Sequence, residues 1–122
     1  MSPRFRRFCG VGGIGFVVDA GLLLALMALG LGPFVARAIS VVVAVTVTWR
    51  LNRTWTFRSR GRRLQEWTRY AGVSAAGAGV NYGTYSLVLL LVAGTPPFAA
   101  LVVGSAVGLA FNYLGSKRLV FA

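Results

Sequence analysis

The sequence predicts an all-α integral membrane protein: four transmembrane helices from two parallel two-helix repeats, with both termini on the cytoplasmic side. Three observations predict it: four long apolar runs, basic residues gathered at alternate ends of those runs, and a second half that echoes the first. Hydrophobic residues make up 57% of the 122-residue chain and charged residues only 12%. Ordinary soluble domains carry ~25% charge, and a small soluble fold buries too little of its surface to hide so much apolar area. Lipid is the fitting solvent.

The expected spans are 8–30, 34–51, 69–93 and 97–115 of a single membrane domain over 1–122. A cytoplasmic linker covers 52–68 and a cytoplasmic tail covers 116–122. Each run approaches the ~20 residues needed to cross a ~30 Å hydrocarbon core, where the backbone must close its own hydrogen bonds and hence be helical. Gly30-Leu31-Gly32-Pro33 and Gly94-Thr95-Pro96-Pro97 are turns, and Pro33 and Pro97 open the helices that follow, where a missing N–H costs nothing. The first run follows Arg4, Arg6 and Arg7 as a signal peptide would, but it is long for one, contains Asp19 and precedes three further runs.

Charge placement sets the orientation. Twelve of the 13 basic residues lie at the N-terminus, in the central region or at the C-terminus, and only Arg37 lies near the opposite side. The positive-inside rule therefore places both termini in the cytoplasm. Trp49, Trp55, Phe57, Trp67, Tyr70, Tyr113 and Phe121 fall at the same boundary, as an interfacial belt would. The stretch Arg58 to Arg63 reads as a mobile, solvated or headgroup-facing linker. A net charge of +11 raises the question of nucleic acid, but short clusters between uncharged runs are the pattern of membrane flanks, so no nucleic-acid partner is expected.

Enzyme chemistry has little to work with. There is no His, one Cys (Cys9) and two acids, Asp19 and Glu66, so no metal cluster, Ser/His/Asp triad or Cys/His pair can be assembled within the chain. No catalytic residue, metal or cofactor is expected. Cys9 is read as a small apolar residue, with palmitoylation at the interface as the alternative.

The halves align. At an offset of 62, Arg7-Phe8-x-Gly10-Val11 matches Arg69-Tyr70-x-Gly72-Val73, Gly15 matches Gly77, and Asp19 matches Asn81. At 64, Pro33-Phe34 matches Pro97-Phe98, Ala36 matches Ala100, Ala44 matches Gly108, Arg53 matches Lys117, and Phe57 matches Phe121. A duplicated hairpin returns to its starting side, so the repeats are parallel and any pseudo-twofold axis follows the membrane normal.

Gly10-Val11-Gly12-Gly13-Ile14-Gly15 matches G-x-G-x-x-G in letters, yet no strand precedes it and no acid follows about 20 residues on; it is read as helix packing, as is Gly104-Ser105-x-x-Gly108. Asp19 falls near the middle of the first span, where an ionised carboxylate is costly. It reads either as a coupling or substrate-orienting group, or as a hydrogen-bonded group held by Asn81, Thr84 or Tyr85. Asn81 and Tyr85 share a helix face at i, i+4, and either line a cavity with Asp19 or glue helices together. Arg37 has three readings: reaching Asp19, binding an anionic headgroup, or snorkelling outward. Arg50, Asn52, Arg53, Asn112, Lys117 and Arg118 form a donor-rich ring that suits a lipid phosphate or simply sets topology.

The chain resembles the GtrA-like family of small four-helix membrane proteins over essentially its whole length. The resemblance rests on Arg7-Phe8-x-Gly10-Val11-Gly12, Asp19, Ala36-x-Ala38-x-Ser40, Leu51-Asn52-Arg53-x-Trp55-Thr56-Phe57, Arg69-Tyr70, and Phe111-Asn112-Tyr113-Leu114-x-x-Lys117-Arg118-x-x-Phe121. The chain departs from the family at Thr48-Trp49, where Asn-Phe is frequent, and at Ser116-Lys117, where Asn-Arg is common. The resemblance implies a flippase of the bacterial inner (plasma) membrane that moves a polyprenyl-phosphate-linked monosaccharide outward for cell-surface polysaccharide glycosylation. Membrane lipids are the remaining partners, and a homodimer is expected because four short helices barely enclose a sugar path. The alternative it implies is a non-transporting anchor or scaffold for a polyprenyl-phosphate glycosyltransferase. A small multidrug exporter fits worse, since the basic ring repels cationic substrates.

Overall fold

The computed structural model describes residues 2–121; Met1 and Ala122, the outermost residues of the domain expected over 1–122 and of the tail 116–122, lie outside the described residues. Among the described residues all regular structure is helical. Four α-helices follow in order: α1 (Pro3–Ala28), α2 (Pro33–Leu51), α3 (Arg63–Leu91) and α4 (Pro97–Gly115). α2 and α4 each run on into a single π-helical turn, Asn52–Thr56 and Ser116–Val120. The chain divides into two compact units, Met1–Arg62 and Arg63–Ala122, each an α-helical hairpin closed by its own π-turn.

Local chemistry explains where the helices begin and end. The Ser2 hydroxyl accepts from the Phe5 N–H at 3.1 Å and Pro3 occupies the first turn, so α1 starts five residues before the expected span. At its far end Gly30 adopts φ +98°, and the N–H groups of Gly30 and Leu31 donate to the carbonyls of Met27 and Leu26 at 3.0 and 3.1 Å. Only glycine reaches that left-handed geometry without strain. Gly94 does the same at φ +78°. Pro33 and Pro97 stand in the first turns of α2 and α4, as the sequence predicts.

The segment expected as linker, 52–68, is helical at both ends and irregular only over 57–62. Charge marks where a membrane environment stops, not where a helix stops, and Leu64, Gln65, Glu66 and Arg69 are good helix formers. For the same reason the expected tail is largely a π-turn. Three helical stretches, Pro3–Ala28, Pro33–Thr56 and Pro97–Val120, are long and apolar enough to cross a membrane. α3 is not among them although it is the longest helix, at 29 residues. Asn81, Tyr82, Thr84, Tyr85 and Ser86 dilute its apolar half, and its first turns are polar.

Each unit packs through a stripe of small residues. α1 buries Phe8, Val11 and Gly15 against Ala36, Ser40, Ala44 and Trp49 of α2. α3 buries Tyr70, Val73 and Gly77, and α4 buries Ala100, Gly104 and Gly108. Six of these positions, Phe8, Val11, Gly15, Ala36, Ser40 and Ala44, become Tyr70, Val73, Gly77, Ala100, Gly104 and Gly108 at offsets of 62 and 64, so the duplication read from sequence extends to burial, while Trp49 maps to the less buried Tyr113. A β-carbon on Gly15 would collide with the Thr48 methyl, and one on Gly77 with the Asn112 amide. One on Gly104 would stand 2.6 Å from the Asn81 carbonyl oxygen. Close backbone approach of this kind is how helices adhere where lipid is as apolar as leucine. The packing role expected of Gly10, Gly12 and Gly13 is not seen: nothing stands within 4 Å of a β-carbon at any of them, and of that motif's glycines Gly15 alone is a contact. Large apolar side chains such as Phe16, Leu24, Phe34, Leu90 and Phe98 point outward.

The π-turns close identically. The N–H of Phe57 donates to Asn52 O, and that of Phe121 to Ser116 O, both at 2.8 Å. Phe57 packs edge-on to Phe8 with centroids 6.2 Å apart, and Phe121 against Tyr70 at 6.0 Å. Several aromatics expected in a membrane-facing belt instead plug their own unit: Trp49 and Tyr70 are buried.

Candidate functional site

In the first unit, Arg37 Nη1 donates to Asp19 Oδ2 at 2.9 Å. Of the three readings of Arg37, the reach to Asp19 is the one observed. Arg37 sits four residues into α2, and its long stem crosses to α1 across the hairpin. The guanidinium is half exposed while Asp19 is 19% exposed, so the carboxylate is the sheltered partner. Its second oxygen, Oδ1, is buried and accepts from nothing. Along α1, Asp19 is about 24 Å from Pro3 and about 14 Å from Ala28. Asp19 thus has one bound and one buried, unpaired acceptor atom in an apolar setting, where an unmet polar atom is costly.

In the second unit the matching positions carry Asn81 and Leu101, with no charge. They line a cavity of about 470 Å³ together with Tyr82, Tyr85 and Phe98. Asn81 and Tyr85 face it together, as their i, i+4 spacing predicts, and the Tyr82 and Tyr85 rings lie 6.4 Å apart. An amide beside two phenol rings can hold a polar ring by hydrogen bonds and by stacking.

At the arginine-rich end, the units differ again. In the first, Asn52 is 1% exposed and its Oδ1 accepts from the Thr56 hydroxyl at 2.8 Å. Arg53, expected to present its guanidinium to a ligand, is 8% exposed. Its Nη2 donates to Gly61 O at 2.9 Å, and its head lies 6.0 Å from the Trp49 ring. The Arg53 carbonyl also accepts from the Ser59 N–H at 2.7 Å. The loop 57–62 is therefore tied to Arg53 at two points rather than loosely strung, and Arg58 takes φ +49° to complete it. Arg50 is exposed.

In the second unit Asn112 packs on Gly77, with its Oδ1 buried and unpartnered. Ser116, one turn on, is 1% exposed and its hydroxyl is also unpartnered. Lys117 and Arg118 are exposed. Arg118 shares a groove of about 650 Å³ with Arg69, over Gly72, Val73, Ala76, Phe111, Leu119 and Val120. Arg69 was legible only as a topology charge; its alignment with Arg7 was the available signal. Glu66, 3% exposed in the first turn of α3, is a second residue whose burial the sequence did not announce.

Paired helices with glycine seams, outward apolar side chains and a sheltered ion pair define a helical membrane protein. The chain belongs to the family whose model is described as GtrA/DPMS, transmembrane domain, which matches residues 7–121.

Proposed function

We propose that this protein handles a polyprenyl-phosphate-linked monosaccharide and acts as its translocase across the bacterial inner membrane, without covalent chemistry. Four spans are read, α3 included, as parallel repeats with both termini cytoplasmic; twelve of 13 basic residues on one side support that orientation. The observation that carries the reading is the buried, unpartnered Oδ1 of Asp19 beside the Arg37 guanidinium. A sugar hydroxyl can donate to that oxygen and accept from the arginine, so the pair can replace hydration that a sugar loses in lipid. Asn81 and Tyr85 supply further polar contacts, and exposed basic residues at the arginine-rich end, Lys117 and Arg118 among them, receive the phosphate while the prenyl tail stays in lipid. A homodimer completes the path.

Asp19→Ala tests it. Proteoliposomes containing D19A should translocate the labelled lipid-linked sugar at background rate with normal expression, and wild-type rates would overturn the mechanism.

The exposed Arg58, Arg60, Arg62 and Arg63 favour a second reading, an anchor that recruits a polyprenyl-phosphate glycosyltransferase. In that case purified protein moves no lipid-linked sugar, and charge reversal at those arginines abolishes co-purification of the enzyme.

A further inference from the structure

The two repeats differ in how two matching positions at their arginine-rich ends are used. In the second unit, Arg69 from α3 and Arg118 from the π-turn line the same groove of about 650 Å³, whose floor is apolar: Val73, Ala76, Phe111 and Leu119 among others. Both arginines are exposed. At the matching place in the first unit, Arg7 stands for Arg69, Thr54 for Arg118 and Trp55 for Leu119. There the Arg7 head lies 5.6 Å from the Trp55 ring, and its Nη1 donates to Trp55 O over a long 3.4 Å. One arginine is absent, the other is laid on an indole, and that bulky indole stands where the second unit has Leu119.

We infer that the second repeat alone seats the phosphate of a phosphate-bearing lipid, between Arg69 and Arg118, with the first isoprenoid or acyl carbons on the Val73–Phe111–Leu119 floor. The chemistry selects this class. Two guanidinium forks match the oxygens of one phosphate, and a bare inorganic anion would leave the apolar floor without an occupant. The identity of the lipid as a polyprenyl phosphate rests on the function proposed above; the seat itself does not.

The test is binding to the full chain in detergent, followed by native mass spectrometry and titration. The probes are a C55 polyprenyl phosphate, the corresponding polyprenol, phosphatidylglycerol and inorganic phosphate. Wild type should hold the polyprenyl phosphate and not the alcohol. R69Q and R118Q should each weaken it about tenfold, the usual scale for one charge-assisted contact. R118K should recover part of that loss, L119W should weaken binding with both charges kept, and R7Q should stay within about twofold of wild type on the same scale. Equal losses in R7Q and R69Q, or wild-type affinity in both R69Q and R118Q, would overturn the seat while leaving the proposed substrate intact. Arginine-dependent binding of phosphatidylglycerol with none of the polyprenyl phosphate would keep the seat and sink the substrate. Competition by inorganic phosphate at equal affinity would overturn the lipid assignment.

Discussion

The two halves of this chain bury matching residues on matching faces and close with the same π-turn, yet they treat polar groups in opposite ways. The first unit pairs several of its polar side chains within itself, although Asp19 Oδ1 stays unpartnered. Arg37 is on Asp19, Thr56 on Asn52, Arg53 on Gly61, and Arg7 on Trp55. At the corresponding places the second has an uncharged cavity at Asn81 and Leu101, a buried, unpartnered Asn112 Oδ1 and Ser116 hydroxyl, and a two-arginine groove. Packing between small residues holds a duplicated hairpin together whatever its polar positions do, so those positions are free to diverge. One copy pairs an aspartate with an arginine where the other carries Asn81 and Leu101 beside a cavity.

The strongest way to break that contrast is to make the first unit resemble the second at its ion pair. Asp19→Asn with Arg37→Leu installs the Asn81–Leu101 combination. Both charges leave together, so neither is stranded in an apolar setting, and the chain should fold with unchanged helicity by circular dichroism. Translocation should fall at least about tenfold, the loss of one charge-assisted contact. Wild-type transport in this double variant would mean that the pair only glues α1 to α2.

A smaller effect separates the two helix seams. Ser40 and Gly104 are equivalent, and both are buried. In the first unit a side chain already fits there, and its hydroxyl donates to Arg37 O at 3.0 Å. In the second a β-carbon would press on the Asn81 backbone, which cannot step aside as a side chain would. Gly104→Ser should therefore cost about 1–3 kcal/mol, the range for overpacking. Ser40→Gly should cost only about 0.5–1 kcal/mol, from loosened helix propensity and one neutral hydrogen bond. Denaturant titration of the detergent-solubilised chain measures both, and equal costs would show that the seams are interchangeable.

The contrast was only partly legible in the sequence. Gly30, Gly94, Pro33 and Pro97 announced the hairpins, because turn geometry is set by the residue itself. The repeat alignment and the packing role of Gly15, Gly104 and Gly108 were legible, but spacing alone did not exclude Gly10, Gly12 and Gly13 from the seam. The ends of α2 and α4 did not follow. A π-turn widens the helix, so helical spacing no longer tells which of residues 52–56 or 116–120 face inward. That is why Arg53 reads as a ligand-facing donor in the sequence and is buried on its own loop in the structure. It is also why Arg118 met Arg69 unannounced. The Asp19–Arg37 pair had a different obstacle: arginine is long enough to reach inward or outward from the same backbone position, and only the packed hairpin decides.

The smallest expected effect is the sharpest test of the claim that polar satisfaction, not packing, divides the halves. Thr56→Val keeps the side-chain shape and removes the donor to Asn52 Oδ1. It should destabilise the protein by about 1 kcal/mol, because a buried acceptor loses its hydrogen bond. Ser116→Ala, at the position matching Asn52, removes a buried hydroxyl that has no partner to lose. Its removal relieves a desolvated polar atom, so stability should stay level or rise by up to about 1 kcal/mol. If ligand seating in the second repeat depends on its own open polar atoms, the added stability should come with weaker retention of polyprenyl phosphate. Stability gained with binding untouched would confine the seat to the Arg69–Arg118 groove.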